Sequence, residues 1–342
     1  MNWRIIAILV SLLPMILLFI FSPISISDIF NVGLFPFLLA VLFSFGKLFC
    51  QAIRFKFFTD KFLGYKVAST SKLCSVRIAS DFVTNTTPSY VGGEIIRIAW
   101  LTKNKVPAGN AAWIATMEII CDVFVGAILA IFAGILAIYN GANLIGLIIV
   151  LVALLVFSFW LLVVIFSAKY NIQLPKFSLK IIRKFLSQEK SEKIINSTNS
   201  AIADLCNMSK ENFKSKRTIK IFLMGIGITF LAFICHGFSF LVLGVLVEPN
   251  IGLFDSILAT AASTQLGSLP ITVGGSGIAE LGLWAYISDL NHIPSLGDVL
   301  NDSHLEVVIS WRIASYHIPL IFMWLMLMRV TVDRTVLSSK NK

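Results

Sequence analysis

Residues 88–93 read Pro-Ser-Tyr-Val-Gly-Gly, and residues 270–275 read Pro-Ile-Thr-Val-Gly-Gly, 182 positions later. Each motif interrupts an otherwise apolar segment, 73–98 in the first case and 255–287 in the second. Proline lacks the N–H that a helix needs and clashes with the preceding turn, so it stops the inbound leg. The glycines at positions 92, 93, 274 and 275 permit a sharp reversal. Each segment is therefore expected to be a broken helical hairpin, with Pro88, Gly92 and Gly93 at one tip and Pro270, Gly274, Gly275 and Gly277 at the other. The outbound leg would begin with free N–H groups and the positive end of its dipole, a place that suits a phosphate.

The surrounding composition says where such hairpins sit. Of 342 residues, 57% are hydrophobic and 13% charged, and the mean hydropathy is +0.87. A soluble domain carries about a quarter charged residues. Several runs here exceed the roughly 20 apolar residues that cross a bilayer. The expectation is one membrane domain over 1–342, with no separate catalytic domain. Broken backbone survives at membrane depth only where protein or a water-filled cavity surrounds it. Arg4 and the run Ile5–Phe21 could mimic a signal peptide, but the run is long and no A-x-A-like site follows. It reads as a retained first span.

Six spans are expected, at about Trp3–Ser22, Val32–Ile53, Ala111–Ile138, Leu144–Ala168, Ile221–Val247 and Leu305–Met328. The formal net charge of +10 is distributed unevenly. Residues 169–220 hold twelve Lys and Arg against four Asp and Glu, whereas 23–31, 139–143, 248–254 and 288–304 hold no Lys or Arg. If each broken segment enters and leaves on the same face, all the basic loops and the tail 329–342 lie in the cytoplasm, as the positive-inside rule requires. If either segment crossed instead, a basic region would move outside. Both termini are then cytoplasmic, in the cell membrane. The first half, 1–140, and the second, 221–328, form an inverted repeat. The basic loop is expected to hold one or two amphipathic helices on the membrane surface. The basic charge faces anionic lipid rather than nucleic acid.

Ionisable residues inside spans are costly and mark candidate function. Glu118 and Asp122 lie at i and i+4 on the third span, and Arg77 and Arg97 in the neighbouring hairpin are their natural partners. Glu94 precedes Arg97, Glu280 lies on the outbound leg of the second hairpin, and Arg312 lies in the last span. These seven are the candidate substrate-binding residues, because guanidinium groups hold phosphate by two hydrogen bonds. The competing reading is an ion-pair clamp between helices. Lys47, in the second span, is expected to snorkel to an interface. Trp113, Trp284, Trp311 and Trp324 read as belt or packing residues.

The five cysteines, at 50, 74, 121, 206 and 235, form no C-x-x-C pair, and the four histidines do not cluster. No disulfide framework, metal site or cofactor is expected. No G-x-x-x-x-G-K-[ST] and no H-E-x-x-H motif occurs, so neither ATP hydrolysis nor zinc hydrolysis is indicated.

At Pro88…Gly93-Glu94…Arg97, Glu118-x-x-x-Asp122 and Leu269-Pro270-Ile-Thr-Val-Gly274-Gly275-Ser-Gly277-Ile-Ala-Glu280, the chain resembles the membrane region of lysylphosphatidylglycerol synthases and related stand-alone membrane proteins. The last stretch, similar to P-x-T-x-G-G-x-G-x-x-E, is the most specific. The family often has Arg directly after the third-span Glu, where this chain has Ile119, so one cation is absent or supplied elsewhere. The aminoacyl-transfer domain of the synthases has no counterpart here, and synthase activity is not expected. The resemblance implies a flippase-like fold that moves a phospholipid or polyprenyl-phosphate lipid between leaflets. A solute transporter, a membrane-embedded transferase and an accessory subunit for a glycosyltransferase are the rival readings. A homo-oligomer or a glycosyltransferase partner is compatible with this picture.

Overall fold

The computed structural model describes residues 32–87, 92–169, 188–212, 215–291, 302 and 304–339. The expected first span, the loop 23–31, the tip residue Pro88, and parts of the basic loop, the 288–304 loop and the tail lie outside the described residues.

The described chain is helical. Its elements are α1 (Leu34–Leu63), α2 (Thr70–Asn85), α3 (Gly93–Lys103), α4 (Ala108–Tyr139), α5 (Asn143–Lys169), α6 (Gln188–Asn212), α7 (Lys216–Gly244), α8 (Leu253–Gly267), α9 (Ile278–Ile287), α10 (His304–Arg312), a π-turn (Ile313–His317) and α11 (Ile318–Ser339). Among the described residues, five stretches are long and apolar enough to cross a membrane: α1, α4, most of α5, α7, and the continuous run His304–Val330. The chain is an all-α polytopic membrane protein.

The burial pattern is inverted relative to a soluble protein. Leu151, Leu155, Phe159 and Leu162 of α5 are exposed, while Arg54, Glu118 and Arg97 are at most 2% exposed. A helix apolar all round suits lipid, and charged groups then belong between helices.

The two interrupted segments each form two short helices that pack on each other, α2 on α3 and α8 on α9. At about 1.5 Å per residue, these 16-, 11-, 15- and 10-residue helices are each shorter than the roughly 30 Å hydrocarbon core. The chain reverses on glycine: Gly92, Gly274, Gly275 and Gly277 have φ of 126°, 59°, 65° and 87°, a region closed to most side chains.

The helices preceding the two units pack antiparallel along their length. Phe43 stacks on Phe238 at 5.0 Å, Gly46 faces Cys235, and Gly225 faces Phe58. At the far end Arg217 donates to the Lys61 carbonyl at 3.0 Å. The packing pattern is preserved when α1–α4 are exchanged with α7–α11: α1 on α2 matches α7 on α8, α3 on α4 matches α9 on α10, and α2 on α11 matches α8 on α4. Between the halves, α6 packs on α4 and α5, and its Ser191, Ile195 and Cys206 are buried.

One span boundary needs correction. The second span is expected to end at Ile53, but α1 continues to Leu63 and ends on Gly64 in the left-handed conformation. Arg54 therefore lies inside the helix and is fully buried. A positive charge ends a span only if it meets water, and this one meets carboxylates.

Candidate functional site: two charge networks joined at the hairpin tips

The first network draws on four successive helices. Glu118 of α4 is fully buried. It accepts from Arg77 Nε at 3.1 Å, and its other oxygen lies 3.2 Å from Arg97 Nε. Arg54 of α1 holds Asp122 by two parallel bonds of 2.6 and 2.7 Å, and also lies 3.7 Å from Glu118. Arg77 pairs with Asp81 one turn along α2. Arg97 reaches Ser80 Oγ at 3.2 Å and Glu94 at 3.4 Å. Three guanidinium groups thus face four carboxylates, those of Asp81, Glu94, Glu118 and Asp122. Two like-charged carboxylates at i and i+4 are tolerable inside a membrane because the arginines are interleaved with them. The network is dry except at two ends: the side chains of Glu94 and Asp122 are 18% and 36% exposed.

Arg54 and Asp81 were not legible as members from the sequence. Arg54 opens a run of basic residues and so resembles a span end. The structure places it as a third cation beside Glu118 and Asp122.

The second network lies at the other tip. Arg312 pairs with Glu280 at 2.9 Å, donates to the Gly274 carbonyl at 2.8 Å, and stacks over the Tyr316 ring at 3.9 Å. The π-turn 313–317 begins just after Arg312 and contains Tyr316. Tyr316 donates to the Asn85 carbonyl at the end of α2, at 2.7 Å. Gly274 N–H lies 3.4 Å from the Thr87 carbonyl. The two tips are thus in direct contact. A Cβ at Gly274 would fall 2.9 Å from Tyr316 Cζ, so only glycine permits this approach. Pro270 is exposed. Trp113, Trp284 and Trp311 are buried packing residues, not belt residues.

Both outbound legs start on glycine and are capped by their own glutamate. Gly92 N–H donates to Glu94 at 2.8 Å, and Gly277 N–H donates to Glu280 at 2.9 Å. Each glutamate also contacts an arginine, Arg97 or Arg312. The positive helix ends expected to receive a phosphate already carry a carboxylate here, so an arriving anion would have to compete with it.

Away from both networks, a cavity of ≈ 300 Å³ is lined by Asn140, Glu248, Asp255, Tyr286, Asp289 and His304, among others. Among the described residues, no three His, Cys, Asp or Glu side chains are placed to hold a metal ion.

Helices too short to cross, glycine reversals and buried ion networks define a polytopic membrane protein built around broken helices. The family model described as the lysylphosphatidylglycerol synthase TM region matches residues 4–322, and the chain belongs to that family. It is also 26% identical over 282 residues, 79% of each chain, to a protein of Archaeoglobus fulgidus named "UPF0104 membrane protein".

Proposed function

We propose that this protein is a lipid translocase, not an enzyme, which moves the phosphate-bearing headgroup of a phospholipid or a polyprenyl-phosphate lipid between leaflets. The observation that carries the reading is the contact between the two hairpin tips, with a charge network beside each. In this reading α2–α3 and α8–α9 are re-entrant hairpins entering from opposite faces of the cell membrane. The antiparallel packing of α1 and α7 supports the inverted repeat, and the family supports a lipid-related role.

The headgroup would travel past the tips while its tails stay in lipid. Glu94 and Asp122, the exposed ends of the first network, are where an incoming phosphate can trade places with a carboxylate on Arg97, Arg77 or Arg54. Glu280 and Arg312 offer the same exchange at the second tip. Partners in this reading are membrane lipids, with a second copy or a glycosyltransferase as further candidates.

The test is reconstitution into vesicles carrying a fluorescent phosphatidylglycerol, with the outer leaflet bleached by dithionite. The expected result is bleaching well beyond half of the label, and faster than in protein-free vesicles. Bleaching that stops at half with folded protein present would refute translocation of that lipid.

A further inference from the structure

Lys47 is the one Lys or Arg midway along a described span that makes no hydrogen bond and no ion pair within 4 Å, although the Asp122 and Arg312 charges both act on it. It sits on α1, half-buried, seven residues before Arg54. Seven residues are two helical turns, about 10 Å, on the same face. The neighbouring Gly46 faces Cys235 of α7, so Lys47 lies at the level of Cys235 and His236.

His236 is 4% exposed, and its Nδ1 has no partner. Its ring packs on Trp311 at 5.2 Å, and Arg312 is the next residue. One turn earlier on α7, Phe233 lies beside Gly126, and Gln265 of α8 lies on the same spot. Gln265 is 6% exposed, and its Nε2 also lacks a partner. Between the two charge networks, within about one helical turn along α7, a lysine, a histidine and an amide thus have unused polar atoms.

The nearby carboxylates are already engaged. Asp122 is held at both oxygens by Arg54, and Glu280 by Arg312 and the Gly277 N–H. An unpaired ammonium at membrane depth is expensive, and unpartnered polar atoms beside it add to the cost. All three needs are met by one small anion that accepts several hydrogen bonds.

We propose that Lys47, His236 and Gln265 form a binding site for a phosphate-bearing anion midway between the two networks, with Lys47 as its cation. The proposal deepens the translocase reading and rests on it in naming a lipid phosphate as the intended occupant. The route then has a stage at which the headgroup has left one network and not reached the other. A flexible point charge suits such a stage, because it holds phosphate without the fixed geometry of a guanidinium fork.

The test uses the whole protein in phosphatidylcholine nanodiscs, with fluorescent phosphatidylglycerol as probe and inorganic phosphate as competitor. Lys47→Met is expected to weaken probe binding by about tenfold or more, the size of one charge-assisted contact. Its melting temperature should equal or exceed the parent's, since a buried charge without a partner is removed. Lys47→Arg, which keeps the charge, should retain most of the binding. His236→Phe and Gln265→Leu should each weaken it further in the parent background. Displacement of the probe by inorganic phosphate at matching concentration would support the site with free phosphate as occupant, and resistance to it would support the lipid. Unchanged probe binding in Lys47→Met overturns the proposal. So does a loss of melting temperature in Lys47→Met that matches its loss of binding, because Lys47 would then be a clamp. Lys47-dependent binding without lipid movement in vesicles would keep the site and refute the translocase reading. Lipid movement with Lys47-independent binding would do the reverse.

Discussion

Tyr316 donates its hydroxyl to the Asn85 carbonyl across 2.7 Å, tying the last span to the end of α2, the inbound leg of the first broken unit. Tyr316 lies within the π-turn, and Gly274 leaves room for its ring. Tyr316→Phe should therefore lower stability by about 1 kcal/mol, the value of one buried hydrogen bond. Gly274→Leu should cost far more, since it combines a positive φ with a collision. Thermal unfolding in detergent ranks the two, and equal melting temperatures for Gly274→Leu and the parent would contradict the tip geometry.

Arg54 ties α1 to α4 through both oxygens of Asp122. Arg54→Met leaves Asp122 and part of Glu118 uncompensated, a loss of about 3–5 kcal/mol for a buried pair broken from one side. Asp122→Asn in the same chain should recover much of it. Arg97→Ala with Glu118→Gln should behave likewise, because these two side chains are in contact. Double-mutant cycles read by melting temperature decide both pairs, and additive losses would show that the partners act independently.

The charge distribution predicts a topology that labelling can test. In a background with the native cysteines replaced, single cysteines at Asn143 and Asn291 should react with an impermeant reagent from outside. Those at Lys103 and Lys190 should not. Asn291 accepts from the Asn143 backbone at 2.7 Å, so the two sites must share a face. Labelling of one and not the other, or of Lys190 from outside, would refute the arrangement.

Asp302 supplies a pH dependence. It accepts from Trp284, Ser288 and both the backbone and ring of His304, tying α9 to the start of α10. Burial alone would raise its carboxyl, but the hydrogen bonds from His304, the His304 charge and Ser288 outweigh it and hold the group below the usual carboxylate range. A depressed carboxylate contributes stability that is present above its unfolded value and lost as pH falls through its folded one. The melting temperature of the parent should exceed that of Asp302→Asn at pH 7, and the gap should close in acid below the usual carboxylate range. The gap should be small, because the group is partly exposed. A gap that widens in acid would contradict the assignment.

The five spans among the described residues were legible in the sequence because apolar length alone decides whether a helix can cross a bilayer. Broken helices were legible at 88–93 and 270–275 because Pro and Gly act locally, through a missing N–H and a missing Cβ. Glu118 and Asp122 could be assigned partners because helical spacing places them on one face. Arg54 could not, since its basic neighbours make it look like a residue at the membrane surface, and only packing against α4 reveals Asp122 opposite it. Tyr316 carries no sequence signal at all: its role depends on a π-turn and on a carbonyl 231 residues away. Composition and local stereochemistry thus determined that the chain crosses a membrane and where its described helices break. Which charges meet, which are left over and how the two tips touch were decided by tertiary packing, because ion pairs form between side chains that no sequence spacing relates.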